Sequence, residues 1–307
     1  MANISAKDVQ ELRAKTGCGM MDCKKALVEA GGSVEEAIKL LREKGMATAV
    51  KKADRIASDG VVAMYQDTDA NVSVIIEINS ETDFVAKNAE FMAFVEGTLR
   101  TVANVRPCCV EKLMETPFDG GSDTVEAKRI EKVQTIGENI NVRRFDVFEG
   151  NVVTYNHHNA NKIGVMVAFE GDASNADAVA FAKTIAMQVA ASAPQYLSKE
   201  DVPAEVIASE KEILLNQARN DEKNAGKPEA ILEKMVMGRL GKYYEQNCLL
   251  EQGYIMDDSM KVGKAVEEKA KELGNFRITK FVRYEKGEGM AKREDNFGDE
   301  IASMINK

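Results

Sequence analysis

The stretch GVVAMYQDTDANVSVIIEI, residues 60–78, decides the fold class of this 307-residue chain. Two runs rich in β-branched residues, 60–65 and 72–78, flank a polar segment, a pattern that predicts two strands joined by a turn. The apolar residues of the next segment, 83–104, recur at helical spacing and predict a helix. The stretch therefore opens a β-β-α unit.

The same pattern returns about 90 residues later. Residues 152–155 and 162–169 repeat the two strands, and residues 176–193 repeat the helix. We interpret this as an internal duplication of the β-β-α unit. The duplication predicts an α+β fold with antiparallel sheets.

The first 45 residues predict three short helices. Ser5 can cap the first helix, and Ser33 with Glu36 forms a capping box for the third. Gly45 is predicted to end the third helix, and residues 51–59 are predicted to form a helical linker.

The remaining segments predict mostly helices. Two charged helices broken at residues 226–228 predict an antiparallel helical hairpin. The other predicted elements are a helix over 126–139, strands over 140–148 and 278–284, and a terminal helix over 295–305.

Charge and composition exclude several functional classes. The formal net charge is −9, divided into +3 for residues 1–55 and −12 for the rest, which argues against direct nucleic-acid binding by phosphate neutralisation. The five cysteines have no zinc-ligand spacing. The sequence has no apolar secretory segment and no run of about 18 apolar residues that could span a bilayer. We therefore expect a cytoplasmic protein without membrane contact.

The sequence also lacks the parts of a catalytic or cofactor site. Its glycine pairs do not lead into a Lys-Ser or Lys-Thr dipeptide, so no phosphate loop is predicted. His157 and His158 have no third metal ligand or paired nucleophile nearby in the sequence, which leaves a solvated loop or a partner contact. We expect no cofactor and no enzymatic activity.

Two stretches are candidates for partner contact. Met20 and Met21 are consecutive at a helix start, so they cannot both face a small core, and at least one should be exposed. In the second stretch, Thr82 is predicted to cap the helix and Val85 to pack inward. Phe84 then either joins the core or inserts into a pocket of a partner.

At these stretches the sequence resembles the elongation factor Ts family of bacteria. LRAKTGCGMMDCKKAL (12–27) and TDFVAKN (82–88) are similar to its two signature stretches. Three further matches follow the family's order: IGENINVRR (136–144), the loop at His157 followed by IGV, and VAASAPQYL (189–197). The resemblance covers essentially the whole chain.

The resemblance implies a guanine nucleotide exchange factor for the GTPase elongation factor Tu. It also implies the following divisions of the chain: a ubiquitin-associated (UBA)-like three-helix domain and linker (1–56), the first core half (57–143), the second core half (144–198 and 246–284), an inserted helical hairpin (199–245) and a C-terminal module (285–307). The hairpin is the predicted contact of a possible homodimer.

The resemblance assigns partner contacts to individual residues. Asp83 and Phe84 would intrude beside the magnesium site of the GTPase, next to its phosphate loop, and His157 would touch a different GTPase domain. Further contacts with the nucleotide-binding domain are implied for Arg13, Met20, Met21, Thr82, Val85, Ile136 and Gly137, and for the C-terminal helix.

Two departures leave points open. Cys18 stands where the family pattern usually has Ala, and the HHNAN loop is longer than many versions, so His158 is an alternative to His157. The alternative function is a coiled-coil adaptor without exchange activity. Deleting the hairpin separates the two functions, because exchange should largely survive the deletion.

Overall fold

A computed structural model describes residues 4–159, 161–221, 224 and 227–291. Helices make up 55% and strands 21% of the structure, and the sheets are antiparallel. The predicted α+β class is therefore confirmed. No helix among the described residues is both long enough and apolar enough to cross a membrane.

The elements of the N-terminal part follow the predicted order closely. They are α1 (Ala6–Thr16), α2 (Met20–Glu29), α3 (Val34–Lys52), β1 (Asp59–Asp67), β2 (Val72–Ser80), α4 (Ala89–Val105), α5 (Val110–Glu115), α6 (Val125–Ile136) and β3 (Asn141–Glu149). Ser5 caps α1 and forms a capping box with Asp8. Ser33 caps α3 by accepting from the backbone N–H of Glu36.

The elements of the C-terminal part include the predicted helical hairpin. They are β4 (Val152–Asn156), β5 (Ile163–Glu170), α7 (Ala176–Ser192), α8 (Ala204–Asn220), α9 (Glu229–Asn247), β6 (Gly253–Tyr254), β7 (Asp257–Lys261), α10 (Val262–Leu273) and β8 (Arg277–Glu285). The side chains of α9 that pack into the hairpin recur at i, i+4 and i+8: Leu232, Val236 and Leu240.

The chain folds into two compact units. The described residues of the first unit are 4–67, 74–147 and 284–291, and those of the second lie within 68–73 and 148–283. The first unit holds the three N-terminal helices and the first β-β-α copy. The second holds the second copy and the helical hairpin. The finer five-part division of the chain stays a prediction.

The central strand of the first sheet is buried along its whole length. The strand order is β1-β2-β3, and all nine residues of β2 are buried. Phe91 and Phe94 of α4 are fully or almost fully buried beside this sheet. The burial includes the four polar residues of β2, Ser73, Glu77, Asn79 and Ser80, so polar side chains do not mark an exposed face of this strand.

The second sheet repeats the order of the first. Strands β4 and β5 pair antiparallel, with Val152 opposite Ala168 and Asn156 opposite Gly164, and β8 pairs with β5. Helix α7 packs on the β4–β5 strand pair. In both copies a hairpin is followed by a helix, and a later strand joins the second strand of the hairpin. The structure thus supports the predicted duplication.

Gly45 does not end the third helix, contrary to the prediction. Helix α3 continues through Gly45 to Lys52. A Cβ atom on Gly45 would lie 2.6 Å from Oε1 of Gln134 and 3.4 Å from Cγ2 of Ile130, both on α6. Gly45 therefore permits close packing of α3 against α6, and this role has no local signature in the sequence.

Other elements differ from the sequence predictions. Helices α5 and α10 and the short pair β6–β7 are additional to the predicted elements, although α10 has a clear apolar face. The linker predicted to be helical over 51–59 is helical only to Lys52, where α3 ends. The predicted terminal helix over 295–305 lies outside the described residues.

Gly60 provides a test of the packing in the first sheet. Its φ angle is +111°, and a Cβ would lie 2.2 Å from the carbonyl oxygen of Ile78. We expect Gly60→Ala to lower the free energy of unfolding by about 2 kcal/mol, since both the backbone conformation and the steric contact oppose it. Urea denaturation measures the loss.

Gly120→Ala is the matched control for this test. Gly120 has a φ of +74°, but a Cβ at this position would meet nothing within 4 Å. Only the conformational cost of about 1 kcal/mol applies there. Equal losses for the two variants would contradict the steric argument.

Candidate functional site

Phe84 lies at the corner between β2 and α4 with its ring in solvent. Its side chain is 77% exposed, while that of Val85 is buried. Residues Val85–Lys87 form a short 3-10 turn, in which the backbone N–H of Lys87 donates to the carbonyl of Phe84 at 3.1 Å. The inward packing predicted for Val85 is confirmed, and Phe84 does not join the core.

Asp83 lies beside Phe84 and is also exposed. Its carboxylate is 3.8 Å from Nζ of Lys87, and both side chains are more than half exposed. An ion pair of this length in solvent contributes little to stability. The Asp83 carboxylate thus remains accessible to a partner or to an ion that a partner carries.

Thr82 does not cap the following helix, contrary to the prediction. The cap is Asn88, whose Oδ1 accepts from the backbone N–H groups of Glu90 at 2.8 Å and Phe91 at 3.3 Å. Helix α4 therefore begins at Ala89, several residues later than predicted. Local sequence does not separate the two caps, because Thr and Asn both favour this position.

Thr82 instead binds a glutamate that is 56 residues away in the sequence. Its backbone N–H donates to Oε2 of Glu138 at 2.9 Å, and its hydroxyl donates to Oε1 of the same carboxylate at 2.6 Å. The carbonyl of Thr82 accepts from the hydroxyl of Ser80 at 3.0 Å. Both the backbone N–H and the carbonyl of Thr82, the residue before Asp83, are therefore hydrogen-bonded.

Ile136 and Gly137 lie at the end of α6, directly before Glu138. Ile136 is half-buried, and Gly137 is exposed with a left-handed φ of +89° that ends the helix. The carbonyl of Gly137 accepts from the ammonium group of Lys52. The Thr82–Glu138 contact therefore brings the 82–85 stretch next to the 136–137 stretch.

The first signature stretch presents both methionines to solvent. Met20 is 40% exposed and Met21 is 63% exposed, which confirms that at least one of them lies outside the core. Arg13 is exposed on α1. A Cβ on Gly17 would lie 3.3 Å from Cγ2 of Thr135, so this stretch approaches the end of α6.

A cavity of about 340 Å³ lies between the three-helix part and α6. Four of its charged lining residues pair with one another: Arg42 is 3.2 Å from Asp123, and Lys128 is 3.4 Å from Asp123 and 2.9 Å from Glu131. Cys18 lines the cavity, and its burial raises the pKa of its thiol, so the thiol form dominates at neutral pH. Cys18 therefore serves as a packing residue.

His157 belongs to the second unit, so the structure does not join it to the other candidate residues. It follows β4 and is half-buried, and its Nδ1 lies 3.1 Å from the hydroxyl of Tyr155. His158 is exposed and has a φ of +55°. Which of the two histidines contacts a partner stays a prediction.

The described residues contain no cluster of three or more His, Cys, Asp or Glu side chains that could hold a metal ion. The candidate site is thus an exposed aromatic ring and a carboxylate on an anchored corner, and its geometry suits contact with another protein.

Comparison with known proteins identifies the family. The family model described as Elongation factor TS matches residues 81–288. The elongation factor Ts of Clostridium perfringens is 47% identical over 307 residues, covering 99% of this chain and 100% of the relative. That of Syntrophotalea carbinolica is 45% identical over 306 residues, covering 98% of this chain and 99% of the relative. The chain belongs to the elongation factor Ts family.

The family assignment covers both candidate stretches. The matched region of the elongation factor Ts model begins at Glu81 and includes Asp83, Phe84 and the end of α6. The full-length relatives extend the similarity to the first signature stretch. The chain is thus a member of a family of translation elongation factors.

The structure adds residues to this site that the sequence did not single out. Glu81, Glu138, Asn139 and Lys52 fix the backbone around Phe84 and Gly137. Glu138 and Asn139 fall inside a stretch that resembles the elongation factor Ts family, but nothing local indicates their partners. The contacts join positions 56 to 85 residues apart.

Proposed function

We propose that this chain is a cytoplasmic guanine nucleotide exchange factor for elongation factor Tu. The observation that carries the proposal is the 77% exposed ring of Phe84 on a corner whose backbone is anchored on both sides. A large apolar side chain held in solvent loses the stabilisation of burial, about 2 kcal/mol for Phe. A partner with a matching pocket recovers that stabilisation on binding.

The proposed mechanism is a coupling between two binding equilibria, in which this chain makes and breaks no covalent bond. If the factor binds the nucleotide-free GTPase more tightly than the nucleotide-bound form, it weakens nucleotide binding by the same ratio. Each tenfold loss of nucleotide affinity requires about 1.4 kcal/mol of differential contact. Insertion of Phe84 supplies part of this free energy by displacing groups that hold the nucleotide.

Asp83 and Phe84 act together at the magnesium and phosphate-loop region of the GTPase in this proposal. Carboxylate oxygens are preferred ligands of magnesium, so the exposed Asp83 carboxylate competes with or repels the ligands of the ion. The magnesium ion belongs to the GTPase, and this chain supplies no cofactor. Arg13, Met20, Met21, Ile136 and Gly137 add contacts on the nucleotide-binding domain, and His157 adds a contact on another GTPase domain.

The direct test is the release of fluorescent GDP from elongation factor Tu. We expect catalytic amounts of this chain to accelerate release in the presence of excess unlabelled GDP, and the released nucleotide to be unchanged GDP. A release rate equal to that of the GTPase alone would refute the proposed function. Conversion of the nucleotide by the isolated chain would show an enzymatic activity instead.

We propose a second copy of this chain as a partner of the α8–α9 hairpin. The hairpin exposes three large apolar side chains, Ile213, Ile231 and Met237, each at least 46% exposed. Sedimentation equilibrium tests the association: a dimer that dissociates when Ile231 and Met237 are replaced by serine supports it. A monomer at all concentrations contradicts it and leaves the exchange function untouched.

A further inference from the structure

Two loops beside Phe84, residues 81–82 and 138–139, are joined by hydrogen bonds in which the glutamate of each loop accepts from the backbone of the other. Glu138 accepts from the backbone N–H of Thr82 at 2.9 Å and from its hydroxyl at 2.6 Å. In return, Glu81 accepts from the backbone N–H of Asn139 at 2.7 Å. Each loop therefore supplies a carboxylate to the backbone of the other. We call Glu81, Thr82, Glu138 and Asn139 the glutamate clamp.

Residues 52–55, at and just after the end of α3, also bind the two loops of the clamp. The side-chain amide of Asn139 donates to the carbonyls of Arg55 at 2.9 Å and Ala53 at 3.3 Å. Lys52 donates to the carbonyl of Gly137, and Arg55 lies 3.5 Å from the carboxylate of Glu81. Glu81 is only 12% exposed, so its bonds are shielded from competing water.

The corner at Phe84 is held locally by the buried side chain of Val85 and by packing of its short turn against β1 and α4, both on the C-terminal side of Phe84. Its own regular structure is the single 3-10 turn Val85–Lys87, too short to be stable alone. Phe84 has almost no contacts that fix its ring, because most of its surface faces solvent. On the N-terminal side, the backbone that presents the ring is held at Thr82, two residues earlier, by the clamp. Without this hold the loop would sample other conformations and order only on binding, which weakens association.

We propose that Glu138 and Glu81 are positioning residues that preorganise the corner carrying Asp83 and Phe84. They act through the backbone of Thr82 and Asn139 and not by contact with the partner. The expected effect of the clamp on nucleotide exchange rests on the proposed function, but its expected effect on the order of the side chain at position 84 does not. Lys52 binds the carbonyl of Gly137, next to Glu138, so the clamp and Lys52 together set the two candidate stretches in one arrangement.

The effect on the ring can be measured without any partner. The chain contains no tryptophan, so Phe84→Trp places the only indole at the corner. We expect Glu138→Ala in this background to lower the fluorescence anisotropy of the indole. Glu138→Gln should retain more of the anisotropy, because its amide oxygen still accepts from the N–H of Thr82.

Two further variants keep the measurement interpretable. Glu90→Ala is the matched control, since Glu90 is an exposed glutamate on α4 whose bond to Lys132 does not involve the clamp. It should leave the anisotropy unchanged. Thr82→Val removes only the hydroxyl bond to Glu138 and should give a smaller decrease, which provides a test even if Glu138→Ala fails to fold.

Exchange kinetics then separate positioning from direct contact. When only a fraction of the chain is binding-competent, its apparent affinity falls by that fraction. We expect Glu138→Ala to raise the concentration for half-maximal GDP release by about tenfold while the rate at saturation changes little. In the Asp83→Ala/Phe84→Ala background, Glu138→Ala should have a much smaller effect.

The outcomes distinguish the failure of each proposal. An unchanged indole anisotropy in folded Phe84→Trp/Glu138→Ala overturns the clamp, whatever the exchange rate. A loss of exchange from Glu138→Ala that is equal in the wild-type and Asp83→Ala/Phe84→Ala backgrounds also overturns it, since Glu138 would then act independently of the two residues on the corner. A fall in anisotropy together with no exchange by the wild-type chain retains the clamp and refutes the exchange function.

Discussion

Phe84→Ala is expected to slow the GDP release stimulated by this chain by roughly thirtyfold or more at subsaturating concentration. Phe84 is 77% exposed in the free chain, so removal of its ring leaves the fold nearly unaffected and acts on binding. An aromatic anchor at the centre of an interface contributes at least about 2 kcal/mol, which corresponds to this factor. Stopped-flow release of fluorescent GDP from elongation factor Tu measures the change.

Val105→Ala is the control for loss of exposed apolar surface. Val105 is 54% exposed at the end of α4, in the same unit as Phe84. Its replacement should leave the release rate within about twofold, because scattered exposed apolar residues are normal and carry no binding energy by themselves. Phe84→Leu should retain part of the activity. Wild-type rates for Phe84→Ala would contradict the insertion mechanism even if the partner is correct.

Glu77→Gln is expected to lower the free energy of unfolding by about 3 kcal/mol at pH 7. Glu77 lies in the middle of β2 and is completely buried. Its carboxylate accepts from Arg143 at 2.9 Å, from Arg144 at 2.7 Å and from the backbone N–H of Gly287 at 2.8 Å. Glutamine presents an N–H₂ group to one of these donors and removes the buried charge that both guanidinium groups face, although Arg144 keeps the more exposed Glu288 at 3.4 Å.

The pH dependence of this loss follows from the pKa of Glu77. Burial raises the pKa, but the hydrogen bonds from Gly287, Asn79, Arg143 and Arg144 outweigh it and hold the pKa below the ordinary value of 4.5. Because the folded pKa lies below the unfolded one, the stabilisation is present above about pH 4.5 and is lost as the pH falls through the folded pKa. The difference between wild type and Glu77→Gln should therefore shrink in acid.

Urea denaturation at several pH values, followed by circular dichroism, measures both effects. Glu11→Gln is the control, since Glu11 forms an exposed pair with Lys15 at 3.2 Å and should change stability by less than about 0.5 kcal/mol. A loss for Glu77→Gln as small as that of the control would show that the buried network contributes nothing. A loss that does not depend on pH would show that ionisation of Glu77 is not its source.

Much of the fold was determined by local sequence. The strands around residues 60–78 and their later repeat follow from alternating or continuous β-branched runs, and the starts of α1 and α3 follow from Ser5 and Ser33. These signals act within a few residues, through backbone propensity and capping. The exposure of at least one of Met20 and Met21 likewise followed from helical geometry, because neighbouring helical positions cannot share one core.

Other features were decided only by tertiary packing. Thr82 and Asn88 are both good helix caps, and the structure uses Asn88 because Glu138 binds Thr82. Gly45 resembles a helix end, but it continues α3 because α6 packs against it. The burial of Glu77 in an apolar strand depends on arginines 66 and 67 residues later.

The sequence by itself determined the α+β class, most helices and strands, and the two stretches that resemble the elongation factor Ts family. The tertiary structure alone decided that Phe84 faces solvent and that the 82–85 stretch lies beside the end of α6. The physical reason is the distance along the sequence over which each kind of interaction acts. Secondary structure depends on neighbours along the chain, whereas the glutamate clamp joins residues 56 and 58 positions apart, whose pairing exists only once the chain has folded.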